Sequence, residues 1–260
     1  MRTKTPTAIA AALLGLSLAV AGCSSSSAPE SSTTESTKTV TVFAAASMKT
    51  TFTELGKTFE ASHAGTKVTF NFAGSQTLAE QITQGAQVDA FASANEANMK
   101  TVTDAGLNAA EPKIYATNVL EIAVPPDNPA GVASFADLAK KDVKVVVCAP
   151  AVPCGAATEK VEKATGITLS PVSEEQAVTD VLAKVQAGEA DAGLVYKTDV
   201  LSAGDTVKGV PFPESKEAIN KNSIVGLKGP QAALGQEFVD LVLSSDGQKV
   251  LATAGFGPAE

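Results

Sequence analysis

From Thr39 onward the hydrophobic positions switch repeatedly between two periods. Val40, Val42 and Ala44 alternate as one face of a strand over 39–45, and Phe52, Leu55 and Phe59 follow at helical spacing over 48–59. Val68, Phe70 and Phe72 alternate again. A helix opens at 78–82, a short strand is expected at 88–91, and a helix over 96–105 is stopped by Gly106. A strand over 119–124 ends at Pro125-Pro126. A second series then begins, with a helical turn at 135–140, a buried-type strand at 143–148 and a helix over 155–165 closed by Gly166. It continues with a helix over 175–188, strands at 192–196 and 223–227, and closing helices over 231–243 and 247–254.

Strands alternating with helices imply parallel-type sheets with helices on both faces, so the fold class is α/β. Two such series predict two lobes of ordinary domain size, with ligands held beyond the carboxyl ends of the strands.

The start of the chain has a different character. Arg2 and Lys4 precede an apolar run over 8–20, too short for a stable membrane span, which ends in Val20-Ala21-Gly22-Cys23. This pattern predicts a signal peptide over 1–22 and a lipid-bearing Cys23, hence an extracytoplasmic protein anchored to the cell membrane. Residues 24–38 are rich in Ser and Thr with no large apolar side chain, and read as a flexible tether.

Composition narrows the function. The formal charge of −8 argues against nucleic acid as a partner, though it does not exclude a small anion held by local N–H dipoles. Beyond Arg2 there is no arginine, there is no tryptophan, and the two tyrosines are Tyr115 and Tyr196. A carboxylate site built on an arginine fork is therefore out, and sugar stacking or a tyrosine-rich iron site is poorly supplied. His63 is the single histidine and reads as a helix C-terminal residue, so a serine hydrolase built on Ser47 or Ser75 would lack a credible base. Cys148 and Cys154 form an even pair across a loop bent by Pro150 and Pro153, which favours a disulfide over two free thiols.

Four strand-to-helix junctions carry candidate chemistry. Ala44-Ala45-Ala46-Ser47-Met48 and Phe72-Ala73-Gly74-Ser75-Gln76-Thr77 place small residues and a serine where backbone can approach a ligand closely. Ala149 to Gly155 and Ser173 to Val178 are the third and fourth junctions. Helix N-termini present unpaired N–H groups and a positive dipole end, which together suit an oxyanion without any cationic side chain. Ser47 and Ser75 have a second reading, as plain helix caps. Thr77 with Glu80, and Ser173 with Gln176, fit capping boxes.

Several stretches, in this order and spacing, resemble the molybdate-binding proteins of ABC importers. They are Phe43-Ala44-Ala45-Ala46-Ser47, residues 75–82 and 85–94, Val152-Pro153-Cys154-Gly155, Gly193-Leu194-Val195-Tyr196, Gly229-Pro230-Gln231-Ala232-Ala233 and Ala254-Gly255-Phe256. The resemblance covers nearly all of 39–260. It implies a type II periplasmic-binding fold, with one lobe from 39–122 plus 222–260 and the other from 123–221. It also implies capture of molybdate, or near-isosteric tungstate, by a monomer without cofactor that hands the ion to a membrane permease. Carried over by position, Ser47 and Ser75 give hydroxyl and backbone donors, Cys154 and Val178 give backbone N–H groups, and Tyr196 gives its phenol. No protein atom would ligate the metal directly. Cys154 stands where the family often has Ala, a change that a backbone donor tolerates. Another oxyanion, such as sulfate or phosphate, is the alternative ligand.

Overall fold

The computed structural model describes residues 37–259. The expected signal peptide, Cys23 and most of the expected tether lie outside the described residues. Lys38, taken as the tether's last residue, already belongs to the first strand, where it pairs with Thr66.

The first lobe begins with β1 (Lys38–Ala45), α1 (Lys49–Ser62), β2 (Thr66–Ala73), α2 (Ser75–Thr83), β3 (Ala90–Ser93), α3 (Glu96–Asp104) and β4 (Lys113–Asn118). The second contains β5 (Leu120–Val124), β6 (Val145–Cys148), α4 (Pro153–Thr165), β7 (Ser173–Glu175), α5 (Val178–Gln186), β8 (Ala192–Tyr196), α6 (Lys197–Ala203) and β9 (Lys208–Val210). The chain then returns to the first lobe through β10 (Asn220–Gly226), α7 (Ala232–Leu243) and α8 (Ser245–Thr253).

The two sheets have the orders β2-β1-β3-β10-β4 and β7-β6-β8-β5-β9. In each, three strands run parallel: β2, β1 and β3 in one, β7, β6 and β8 in the other. The sheets are nonetheless mixed. β10 is antiparallel to β3 and β4, and β5 is antiparallel to β8 and β9. The reason is the connectivity. Each lobe's own three strands end toward the other lobe, whereas β5 and β10 arrive from that lobe and so run the opposite way. Sheet membership changes between Asn118 and Leu120, so the boundary expected between residues 122 and 123 falls inside β5.

The expected apolar stripe of α1 forms the heart of the first core: Phe52, Leu55 and Phe59 are buried. Phe238 of α7 meets Phe52 and Phe59 edge-on at 5.8 and 5.7 Å, a favoured aromatic geometry. The second core is mostly aliphatic. Val145 and Val146 of β6, Leu194 of β8, Ile122 of β5 and Val181 and Val185 of α5 all belong to it. Its stacked pair, Phe135 and Phe212, has centroids 5.5 Å apart.

Two local expectations are corrected. The helix expected over 175–188 begins only at Val178, because Ser173–Glu175 pairs with β6 as an edge strand. Ser173 therefore does not cap α5; its hydroxyl meets Glu175 and Lys184 instead. Thr77 does not cap α2 either, since that helix already starts at Ser75 after Gly74.

Candidate functional site

Six strand-to-helix turns, three from each lobe, meet where the lobes face each other. The first lobe contributes Ala45, Ala46 and Ser47 at the end of β1, Ala73, Gly74 and Ser75 at the end of β2, and Ala94 after β3. The second contributes Val152, Pro153 and Cys154 at the start of α4, Val178 at the start of α5, and Tyr196 at the end of β8. They line a small cleft that no charged side chain lines. All five residues expected to contact a ligand, Ser47, Ser75, Cys154, Val178 and Tyr196, are thus brought to one cleft.

The lobes are closed over this space. Gln76 Nε2 donates to Gln176 O at 2.9 Å, Asn98 Nδ2 to Ala151 O at 3.4 Å, and the Thr50 and Ser202 hydroxyls lie 3.1 Å apart. Gly74 permits the approach: a Cβ there would lie 2.2 Å from Gln176 O, closer than nonbonded atoms come. Gly155 permits a different one, since a Cβ would lie 2.0 Å from Ala149 O and prevent α4 from folding back onto the end of β6. A disulfide between Cys148 and Cys154 closes the same turn, with Cα atoms 5.7 Å apart.

Four of the helix starts at the cleft share one property. The short 3₁₀ turn at Ala46–Met48 that leads into α1, and the starts of α2, α4 and α5, all lack a capping side chain. By contrast, Asn95 caps α3 by accepting from Asn98 N, and Ser244 caps α8 by accepting from Gly247 N. Uncapped first turns retain N–H groups without an intrahelical acceptor and a positive dipole end.

Three hydroxyls complete the lining. Ser47 Oγ is buried and has no hydrogen-bond partner in the chain. Ser75 is fully buried, and its Oγ accepts from Ala94 N at 3.0 Å. The reading of either serine as a plain cap does not survive, because neither stands at an N-cap. Tyr196 Oη accepts from Asn220 Nδ2 at 2.8 Å. Burial, and secondarily the charge of Asp199, push the phenol well above its ordinary range, so it stays a protonated donor. Among the described residues, none of these three hydroxyl protons meets an acceptor.

Asn220 and Asp199 did not emerge from the sequence. Asp199 is buried in the first turn of α6, where its Oδ2 accepts from Tyr196 N at 2.9 Å. Burial pushes its carboxyl up to about 7, partly opposed by that bond. Asp199 at the third position of α6 was a readable signal, since an acidic residue there commonly reaches back to the start of the helix. Asn220 gave none, because its partners come from three distant segments.

A pair of α/β lobes with a cleft at their junction is the architecture of a solute-binding protein. The chain belongs to the bacterial extracellular solute-binding protein family, whose profile matches residues 40–257. It is 49% identical over 220 residues to the molybdate-binding protein ModA of Mycobacterium tuberculosis, covering 84% of each chain. Among solved structures, it resembles the substrate-binding domain of a putative molybdenum ABC transporter from Clostridium difficile, with 27% identity and a TM-score of 0.63 over 85% of this chain and 99% of that one. The fold is also that of the periplasmic molybdate-binding protein of Azotobacter vinelandii, with a TM-score of 0.74 and 19% identity over 85% of this chain and 100% of that one.

Proposed function

We propose that the protein captures molybdate, or tungstate as a near isostere, outside the cytoplasm and delivers it to the membrane permease of an ABC importer. One observation carries the reading. The cleft presents three hydroxyl protons without acceptors and four uncapped helix starts, with no charged side chain in its lining. A buried donor left without a partner costs about 1–3 kcal/mol, so this array needs a ligand that is all acceptor. A tetrahedral dianion without hydrogens meets that need, and its charge is distributed over N–H dipoles rather than paired with a cation. Ser47, Ser75 and Tyr196 then donate through their hydroxyls, and Cys154 and Val178 through backbone N–H groups. Metal-bound oxygens are the contact atoms, and no side chain ligates the metal. Sulfate has the same shape in a smaller size, so cavity dimensions are what separate it from molybdate.

The hydrolase alternative loses its base. His63 stacks on Phe59 at 3.9 Å and meets Glu237 at 2.8 Å, at the end of α1 opposite Ser47. The 14 residues of that helix span about 20 Å. Attachment through a lipid on Cys23, a monomeric state and the absence of a cofactor belong to the same proposal.

Calorimetric titration of the purified protein with molybdate, tungstate, sulfate and phosphate tests it. Molybdate and tungstate should bind at one site, at least about tenfold tighter than sulfate or phosphate, a difference of about 1.4 kcal/mol. Preference for sulfate or phosphate, or no binding of any oxyanion, would overturn the reading.

A further inference from the structure

We propose that Asn220 is a positioning residue of the anion site, turning the Tyr196 hydroxyl into a donor aimed at the cleft and doing so only while the lobes are closed. The inference rests on the reading of the cleft given above and adds a residue that does not line it.

Asn220 opens β10, the strand by which the chain returns to the first lobe, and its side chain is buried. Its Nδ2 lies 2.8 Å from Tyr196 Oη, 3.0 Å from Ala94 O and 3.4 Å from Pro153 O. All three partners belong to residues that line the cleft, Ala94 from the first lobe and Pro153 and Tyr196 from the second. One amide group therefore ties both walls together directly behind the ligand space.

The chemistry of the partners fixes the orientation of that amide. Carbonyl oxygens accept and never donate, so the Ala94 and Pro153 carbonyls require the nitrogen, not Oδ1, to face them. The Tyr196 oxygen beside the same nitrogen must then be an acceptor, and its own proton has to point elsewhere. No acceptor for that proton exists among the described residues, and Tyr196 faces the cleft. With the lobes apart, Asn220 cannot keep both Ala94 and Tyr196, and the hydroxyl is free to rotate. Closure thus orders a donor as well as enclosing the ligand, which lowers the cost of binding by preorganisation.

A double-mutant cycle in the full protein tests the proposal. It uses Tyr196→Phe, Asn220→Ala and the pair, each titrated with molybdate and each melted without ligand. Asn220→Ser supplies a second polar-to-small background should the alanine variant fold poorly, and Ser75→Ala serves as a control. Tyr196→Phe alone should weaken binding roughly tenfold, the size expected for a bond to a charged ligand. In either Asn220 background it should cost less than about threefold, because the hydroxyl is no longer directed. Asn220→Asp should weaken binding more than Asn220→Ala, since a carboxylate draws the Tyr196 proton to itself and repels the anion.

A purely structural role would lower the unliganded melting temperature while leaving the Tyr196→Phe factor the same in all backgrounds; that result overturns the proposal. If Ser75→Ala also leaves molybdate affinity unchanged, the reading of the cleft falls with it. If Ser75→Ala weakens binding while Tyr196 and Asn220 act independently, only the role of Asn220 is lost.

Discussion

The two walls of the cleft solve one problem with different chemistry. On the proposed reading the first lobe would use side chains: Ser47 and Ser75 stand on turns of Ala and Gly that let a hydroxyl reach into the cleft. On the same reading the second would use backbone: Cys154 and Val178 have no side chain fit to hold an anion, and what they offer is the N–H groups at the starts of two uncapped helices. Only Tyr196 departs from this division. The first wall is therefore exposed to substitution, whereas the second is sensitive to whatever moves its main chain. Pro153, Gly155 and the Cys148–Cys154 bond all act on that main chain, in the turn that presents α4.

The division is broken most severely where the walls touch. Gly74 has an ordinary backbone conformation, φ −59° and ψ 139°, which alanine adopts without strain. The backbone clash is with Gln176 O of the opposite lobe; within its own lobe the nearest atoms are the amide end of the Gln76 side chain, which can swing aside. Gly74→Ala should therefore weaken molybdate binding by about a hundredfold or more by disfavouring closure, with the unliganded melting temperature little changed. Titration together with a thermal melt checks this, and a parallel loss of unliganded stability would show that Gly74 matters within its own lobe instead.

Side-chain and backbone donation are separated by alanine substitution on each wall. Removing a hydrogen bond to a charged group costs roughly 1.5–3 kcal/mol, so Ser75→Ala and Ser47→Ala should each lower affinity by about ten- to a hundredfold. Ser75→Ala should be the worse, because its Oγ also holds Ala94 N. Val178→Ala keeps its backbone N–H and should cost less than about threefold, within the usual scatter of context effects. Equal losses at Ser75 and Val178, measured by titration, would erase the distinction between the walls.

A third prediction concerns the second lobe's buried acid. The Asp199 carboxyl is raised by burial to about 7, above its ordinary value of 3.8. The folded state thus binds more protons than the unfolded state between those values. Its contribution is fully present below about pH 4 and is lost as pH rises through 7. Asp199→Asn retains an oxygen for Tyr196 N and removes the titration. Stability of the variant relative to the natural protein should therefore rise from pH 4 to pH 7 and level off above. Denaturant melts across that range check the sign, and a constant difference would contradict it.

This contrast also explains what the sequence could reveal. The core of the first lobe was legible because Phe52, Leu55 and Phe59 mark a helix face without ambiguity. Ser47 and Ser75 were legible as candidates because a hydroxyl at a strand-to-helix turn has few uses. Cys154 and Val178 carry no such mark; their donors are main-chain atoms that any residue supplies, so only the resemblance pointed to them. β7 was hidden because Ser-Glu-Glu has a composition that suits a helix start, and pairing with β6 overrides that preference. The mixed sheets were hidden because direction depends on which lobe a strand comes from. Asn220 was hidden most deeply, since its role exists only where Ala94, Pro153 and Tyr196 come together.

The smallest effect predicted is the one that isolates the cation-free character of both walls. Lys49 and Lys197 follow the cleft residues Ser47 and Tyr196 closely in sequence, yet both are exposed and neither lines the cleft. Charges in solvent act over a screening length of about 8 Å at physiological salt, so they can add only a weak general attraction. Lys49→Ala and Lys197→Ala should each change molybdate affinity by less than about twofold at that salt, within the range of exposed ion pairs. The small change that remains should shrink further as salt is added. Titration of both variants at two ionic strengths measures this directly. Loss of binding on removal of either lysine, with Ser47→Ala and Ser75→Ala still binding normally, would mean that a cation holds the ligand and that the uncapped helix starts do not.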